Sequence, residues 1–504
     1  MFRQLLGLVF VLGSLWAAEP RPRAIVLFYA DDLGFADTSA YGCARVPCPH
    51  TERLAEQGLL FTDAHSTHSV CTPSRYSLLT GEYAWRRRGT GILPGDAKLI
   101  LPTEQERPSL PALLRRAGYR TAAIGKWHLG LGRGSAPINW NAPIAPGPNE
   151  VGFDHSFIMA ATGDRVPCVF LRNGCVVGAD PADPIEVSYR TPFAGEPLGS
   201  THPELLKPYA HSKGPQHNGA IVDGIPRIGF MRGGRAALWK DQDIADRLTD
   251  EAIAFIADCA RQQTPFFLYF AANDIHVPRD PHPRFVGRSG LGIRGDVTVQ
   301  MDACLGRLRE ALEAHGYADS LIILSSDNGP VIDDGYDDGA LRDCAGHNPV
   351  APMSMGRVRD GKLEGGKYGI MEGSTRVPLI VCWPGHTRRG RSAALVSQVD
   401  FARTLAELAG AEVPEGALPD SRNCLPALLG QDAAGVPELI ESNNGGCLAI
   451  RRGRYKYYRR GETDYLFDLE QDLGEQHNKA SEQPELTAEL RALLQERTAG
   501  KATP

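Results

Sequence analysis

Apolar runs that end on polar residues constrain this chain more than any other feature. Ala24-Ile25-Val26-Leu27-Phe28-Tyr29-Ala30 runs into Asp31-Asp32-Leu33-Gly34. Tyr119 to Ile124 runs into Gly125-Lys126-Trp127-His128, and Phe266 to Ala271 runs toward Asn273-Asp274-Ile275-His276. Leu321 to Leu324 passes through Ser325-Ser326 into Asp327-Asn328-Gly329, and Val377 to Cys382 stops at Trp383-Pro384-Gly385. Near-continuous apolar strands indicate burial on both faces, as in a parallel sheet covered by helices. Helical stretches lie between them, at Leu110–Ala117, Ile244–Cys259 and Val299–His315. Strands alternating with helices predict an α/β fold, a large and mostly parallel sheet sandwiched by helices. In such sheets ligand sites gather beyond the carboxyl ends of the strands. The polar groups at these ends are therefore expected to meet.

With 504 residues, the chain has room for a large core and a second, smaller unit. Its net charge of −6 gives no global case for nucleic-acid binding. The N-terminus reads as a secretory signal over residues 1–18. Arg3 supplies the charge, Leu5 to Leu15 the apolar run and Ala17-Ala18-Glu19-Pro20 a cleavage region, although Trp16 spoils a clean small-x-small site. The run is short for a membrane span, and no stable span is expected. The expected location is periplasmic or extracellular. The 11 cysteines lack Cys-x-x-Cys zinc spacing. Cys43 and Cys48 are close enough to be a candidate disulfide. Cys168 and Cys175 are less suited, because Asn173-Gly174 reads as a two-residue hairpin turn that sets Cys175 opposite Arg172.

Cys71-Thr72-Pro73-Ser74-Arg75, followed by Tyr76-Ser77-Leu78-Leu79-Thr80-Gly81, carries the chemistry. Pro73 fits the first turn of a helix, Leu78 and Leu79 give it a buried face, and Gly81 can end it. Cys71 then lies near a helix N-terminus, where free N–H groups and the dipole favour anions. The run closely resembles the modification motif of type I sulfatases of the alkaline phosphatase superfamily, Cys-x-Pro-x-Arg with a Leu-Thr-Gly tail. Gly125-Lys126-Trp127-His128-Leu129-Gly130 is a second matching motif. Gly365-Gly366-Lys367-Tyr368, ahead of Glu372-Gly373 and Arg376-Val377-Pro378, is a third, with Ser374 where that family often has glycine or alanine. The resemblance runs from about residue 24 to residue 478 and is nearest to bacterial carbohydrate sulfatases.

Asp31, Asp32, Asp327 and Asn328 are hard oxygen ligands, a set that suits calcium or magnesium better than zinc. The resemblance implies a calcium ion on these four residues and on modified Cys71, with magnesium as the alternative. It also implies oxidation of Cys71 to formylglycine by a maturation enzyme, and a hydrated aldehyde as nucleophile. Sulfate ester hydrolysis builds charge on oxygen, which fixed cations stabilise in a water-poor site. By resemblance, Arg75 holds the diol and Lys126 and Lys367 bind sulfate oxygens. His276, also at the sulfate, protonates the leaving alcohol, and His128 takes the proton that expels sulfate. The nearby His282 is an alternative to His276.

Residues from about 140 to 240 are rich in Gly, Pro and His and read as long insertions over the active-site face. Asp164, Arg165, Asp334 and His347 could read sugar hydroxyls of a sulfated glycan substrate. A catalytic unit is expected over 21–430. A small α+β unit is expected over 431–504, with short strands at Cys447–Ile450, Tyr455–Tyr458 and Tyr465–Leu469 and a helix from Pro484 to Glu496. The Leu-Phe-Asp-Leu segment there, with Glu475 and Asn478 downstream, matches the family's small C-terminal subdomain. The competing activities are a phosphatase or phosphonate monoester hydrolase of the same superfamily, which often carries a second metal set, and a non-catalytic glycan-binding relative.

Overall fold

Ala24–Ala30 is buried along its whole length and forms parallel ladders with Phe266–Ala271 on one side and Leu321–Ser326 on the other. These strands are the middle of a 10-stranded sheet in a computed structural model that describes residues 20–331, 333–340, 363 and 365–498. On one flank Phe266–Ala271 pairs with Arg120–Lys126, which pairs with His155–Met159, both in parallel. Phe170–Arg172 and Cys175–Val176 complete that edge as an antiparallel hairpin. On the other flank Leu379–Cys382 runs antiparallel between Leu321–Ser326 and Leu59–Phe61, and Gly390–Ser392 closes the sheet.

The mostly parallel α/β architecture agrees with the sequence pattern. The apolar strands pack into one continuous core with the helices Leu110–Arg116, Ile244–Gln262 and Phe401–Leu408. Truncating a side chain such as Leu27, fully buried in the central strand, is expected to cost about 2–5 kcal/mol. The helix expected from Val299 starts earlier, at Gly292, and ends at Ala314. Its first turns hide from apolar periodicity because they bury polar groups. Arg294, for example, donates to the Asp32 carbonyl at 3.0 Å and to Asp37 at 2.6 Å.

The Asn173-Gly174 turn has φ of 48° and 81°, as a two-residue primed turn requires, and Arg172 faces Cys175. Cys43 and Cys48 are free thiols, a correction to the candidate disulfide. Cys48 is instead buried with Val46 and Leu291 at the start of the helix Pro49–Gln57. The stretch read as insertions is more ordered than its composition implied. It contributes strands to the main sheet and two small sheets, Glu186–Ser188 with Phe230–Arg232 and Ile221–Val222 with Ile225–Pro226. Arg227, fully buried, donates to the Val222 carbonyl at 2.9 Å, the Gly163 carbonyl at 2.5 Å and Asp241 at 2.9 Å, which fixes the second small sheet to the segments on either side.

Beyond the main sheet, Glu438–Ser442, Leu448–Arg452, Tyr455–Arg460 and Thr463–Asp468 form a four-stranded antiparallel sheet. The helix Pro484–Arg497 packs on it through Leu490 and Leu494. The first strand was not expected, since Glu438 and Glu441 break its apolar run. Among the described residues no helix is long and apolar enough to cross a membrane. The proposed signal over 1–18 lies outside the described residues.

Candidate active site

Cys71 is the first residue of a helix that runs to Thr80 and stops at Gly81, where φ is 58° and the glycine N–H returns to the Ser77 carbonyl. Every residue of the helix is buried, not just one face. Cys71 Sγ and carboxylate oxygens of Asp31, Asp32 and Asp327 all lie within 4.8 Å of one another. Asp31-Asp32 and Asp327-Asn328 come from adjacent parallel strands, whose carboxyl ends align because Ala30 pairs with Ser326. Asp32 takes a φ of 56°, and its N–H donates to Asp327 Oδ1 at 3.2 Å. A left-handed aspartate is strained, and such strain clusters at functional sites.

Cations pack around these carboxylates. Lys126 Nζ donates to Asp31 Oδ2 at 2.5 Å, and Lys367 Nζ to Asp32 Oδ2 at 2.9 Å and Asp334 Oδ2 at 3.0 Å. Arg75 donates twice to Asp327 Oδ2, at 3.0 and 2.8 Å, and once to the Tyr269 hydroxyl at 3.0 Å. Its guanidinium also lies 5.3 Å from the Tyr29 ring centroid. The two tyrosines escape sequence reasoning because, within apolar strands, they read as core.

Within the Asp31, Asp32, Asp327 and Asn328 set, Asp31 Oδ1 and Asn328 Oδ1 are buried and have no hydrogen-bond partner among the described residues. The Asn328 amide nitrogen faces Asp32 Oδ1 at 2.7 Å and the Gly329 carbonyl at 2.8 Å, which fixes Oδ1 as the unpaired atom. Burial and the neighbouring Asp327 push the Asp31 carboxyl up to about 8, and Lys126 opposes them. Crowded carboxylates with orphaned oxygens fit a hard cation.

Burial pushes the Cys71 thiol well above its ordinary range, while Lys126 pulls the other way. A working thiolate needs the opposite shift, so this residue suits a precursor better than a nucleophilic thiol. His128, held at a φ of 54°, donates from Nε2 to the Leu93 carbonyl at 2.9 Å. Nδ1 is thus an unpaired acceptor in the neutral ring, and burial and Lys126 keep that ring neutral. The His128 carbonyl accepts from Thr72 Oγ1 at 3.0 Å, which ties it to the Cys71 helix. His276 donates from Nδ1 to the Val277 carbonyl at 2.7 Å and presents Nε2 3.9 Å from Asp32 Oδ2. Burial, then Lys367 and Lys126, depress its pKa. His282 lies elsewhere, with Nδ1 accepting from the Arg284 N–H at 3.3 Å.

Of the polar groups expected at the rim, Asp334 reaches the site through Lys367. Its neighbours turn away: Asp333 and Asp337 pair with Lys213, and Asp338 with Arg279. Asp164 accepts from Arg165 Nη1 at 2.6 Å and faces His217 Nε2 at 3.1 Å, so it holds two other polar groups in place. No sequence signal marked His217, which lies about fifty residues away in the irregular segment. His347 lies outside the described residues. Asp32, His276 and Asp334 also lie close enough to one another for a second cation, but the Lys367 ammonium stands between the two carboxylates. That arrangement disfavours the two-metal phosphatase reading.

A family model described as Sulfatase matches residues 23–411. An N-acetylgalactosamine-6-O-sulfatase of Bacteroides thetaiotaomicron is 44% identical over 94% of this chain and 92% of its own length. Human arylsulfatase A is 30% identical over 92% of this chain and 84% of its own length. A solved Bacteroides thetaiotaomicron structure, from work on glycosaminoglycan metabolism, superposes with a TM-score of 0.88 at 43% identity, covering 95% of this chain and 99% of that one. A Pseudoalteromonas sulfatase at 23% identity shares the fold, with a TM-score of 0.68 over 95% of this chain and 90% of its own. The match over most of the chain and the groups gathered at Cys71 lead to one assignment: the chain belongs to the sulfatase family.

Proposed function

We propose that the protein hydrolyses a sulfate ester on a carbohydrate, with 6-sulfated N-acetylgalactosamine as the leading substrate. The observation that carries the reaction is the convergence of Lys126, Lys367 and a cluster of carboxylates on Cys71, at the start of a helix. The sugar is inferred from the relative that is 44% identical. Export follows from the charged and apolar N-terminus.

Asp31, Asp32, Asp327 and Asn328 would hold a calcium ion, which supplies positive charge against sulfate oxygens and the nucleophile. The aldehyde formed from Cys71 supplies, as its hydrate, a nucleophile with a built-in route to sulfate release. Arg75, fixed by Asp327 and Tyr269, orients position 71. Lys126 and Lys367 bind the anionic ester and stabilise charge that grows on its oxygens. His276 would give the leaving alcohol a proton from Nε2 as its imidazolium, a state that the bound anion favours against burial and the two lysines. His128 accepts a proton at Nδ1, the free atom of its ring. Arg165 and His217, both anchored on Asp164, together with Asp334, would contact sugar hydroxyls.

The test is sulfate release from a panel of singly sulfated monosaccharides, with a phosphate monoester included. The proposal expects N-acetylgalactosamine 6-sulfate to give the largest kcat/KM. Faster turnover of the phosphate ester than of every sulfate would reject it.

A further inference from the structure

We infer that the small C-terminal sheet is a positioning device for the catalytic centre, with Lys456 as its key positioning residue. The inference rests on the roles given above to Lys367 and Asn328. The link is the short turn Glu372–Thr375. On one side Ser374 Oγ accepts the Gly366 N–H at 3.2 Å, next to Lys367. The Ser374 carbonyl accepts the Gly329 N–H at 2.9 Å, next to Asn328. A Cβ at Gly329 would lie 1.9 Å from the Gly373 carbonyl, so the two backbones are in direct contact. The turn thus sets both a cation-ligand strand end and the Lys367 loop.

On its other side the turn is held by the small sheet and the segment after it. Lys456 Nζ lies 3.1 Å from Glu372 Oε1, 3.1 Å from Glu441 Oε2 and 3.5 Å from Glu475 Oε1, all with side chains fully buried. Glu475 accepts the Glu372 N–H at 2.5 Å, and Glu441 accepts from Thr375 Oγ1 at 2.7 Å. The same sheet reaches the chain just ahead of Cys71, where the Ser69 N–H donates to the Ser442 carbonyl at 3.0 Å and the Ser442 N–H to the Thr67 carbonyl at 3.1 Å. Asp63, His65 and Glu372 lie close enough together for a cation, but Arg376 bridges Asp63 at 2.8 Å and Glu372 at 2.7 Å and fills the place. The network is therefore a clamp built from side chains, and it grips the segments on both flanks of the site.

Lys456→Met alone takes from Glu475 its cation and leaves Glu372 and Glu441 to Arg376 and His65, and is expected to fold poorly. Lys456→Met with Glu475→Gln removes a balanced pair and keeps an acceptor for the Glu372 N–H. With equal Cys71 conversion verified, we expect this double variant to lose roughly 3- to 30-fold in kcat with KM little changed. Its calcium dissociation constant, measured by titration calorimetry, should rise by a similar factor. A folded double variant with wild-type kcat and calcium affinity would overturn the inference. So would failure of both the double variant and Glu475→Gln to fold, which would assign the clamp to stability alone. Lys367→Ala is the control: retained activity there would instead reject the reading of the site.

Discussion

Around Cys71, Asp31 Oδ1 and Asn328 Oδ1 are buried without a hydrogen-bond partner among the described residues, and the Arg75 guanidinium stands 3.8 Å from Asp31 Oδ1, whereas around Lys456 the oxygens that also lack a hydrogen bond, Glu441 Oε2 and Glu475 Oε1, lie 3.1 and 3.5 Å from one ammonium. The titration shifts divide each cluster within itself: Asp31 is raised while, against burial, Lys367 and Lys126 help to lower Asp32, and Glu475 is raised while Glu372 and Glu441 are lowered. Burial and Asp327 push the Asp31 carboxyl up to about 8. Burial also opposes ionisation of Glu372 and Glu441, yet Lys456 and its neighbours hold Glu372 well below its ordinary value and lower Glu441. In the second cluster the Lys456 ammonium supplies the central cation, and in the first that place is assigned to the calcium ion proposed above. A buried charge cluster is thus read by what stands at its centre, not by how many charges it holds.

The largest test of this contrast is removal of the position 71 side chain. Cys71→Ala should lower kcat by on the order of 10⁴-fold or more while the protein remains folded, as judged by its thermal transition. Lys367→Ala should cost about 10²- to 10³-fold in kcat. Steady-state kinetics with a sugar sulfate checks both variants.

Calcium should act on the cluster around Cys71 alone. Raising the free ion to about 100 times its dissociation constant should stabilise the folded state by about 2.7 kcal/mol. Differential scanning calorimetry should show that gain in the wild type and little of it in Asn328→Ala. Loss of the gain in Glu475→Gln would blur the distinction between the clusters.

The smallest effect concerns pH. Burial pushes Glu475 up to about 7 from 4.5, with Lys456 opposing. The folded state therefore binds more protons than the unfolded state in that window. The stability that this group contributes is full below 4.5 and is lost as pH rises through about 7. Glu475→Gln should flatten the fall in Tm across that window, and an unchanged slope would remove Glu475 as its source.

The main sheet was legible because Ala24–Ala30, Phe266–Ala271 and Leu321–Ser326 are apolar on both faces, a pattern that a central parallel strand alone requires. The groups at their ends were legible as a consequence, together with Cys71 and Lys367 from their motifs. Strands such as Leu59–Phe61 and Gly390–Ser392 were not, because three residues carry too little period to read. Tyr29 and Tyr269 were hidden as strand core, and the early start of the Gly292–Ala314 helix was hidden by buried polar groups. The clamp was the least legible part. Glu372, Glu441, Lys456 and Glu475 are scattered over a hundred residues, and only the fold makes their charges neighbours.

The account turns on what stands at position 71 in the active enzyme. A mass spectrum of the peptide that contains this position, taken from protein of known specific activity, tests it most directly. The account predicts an aldehyde in place of the thiol, in a fraction that rises in proportion to sulfate release. Full turnover by protein whose Cys71 is entirely unmodified would contradict it.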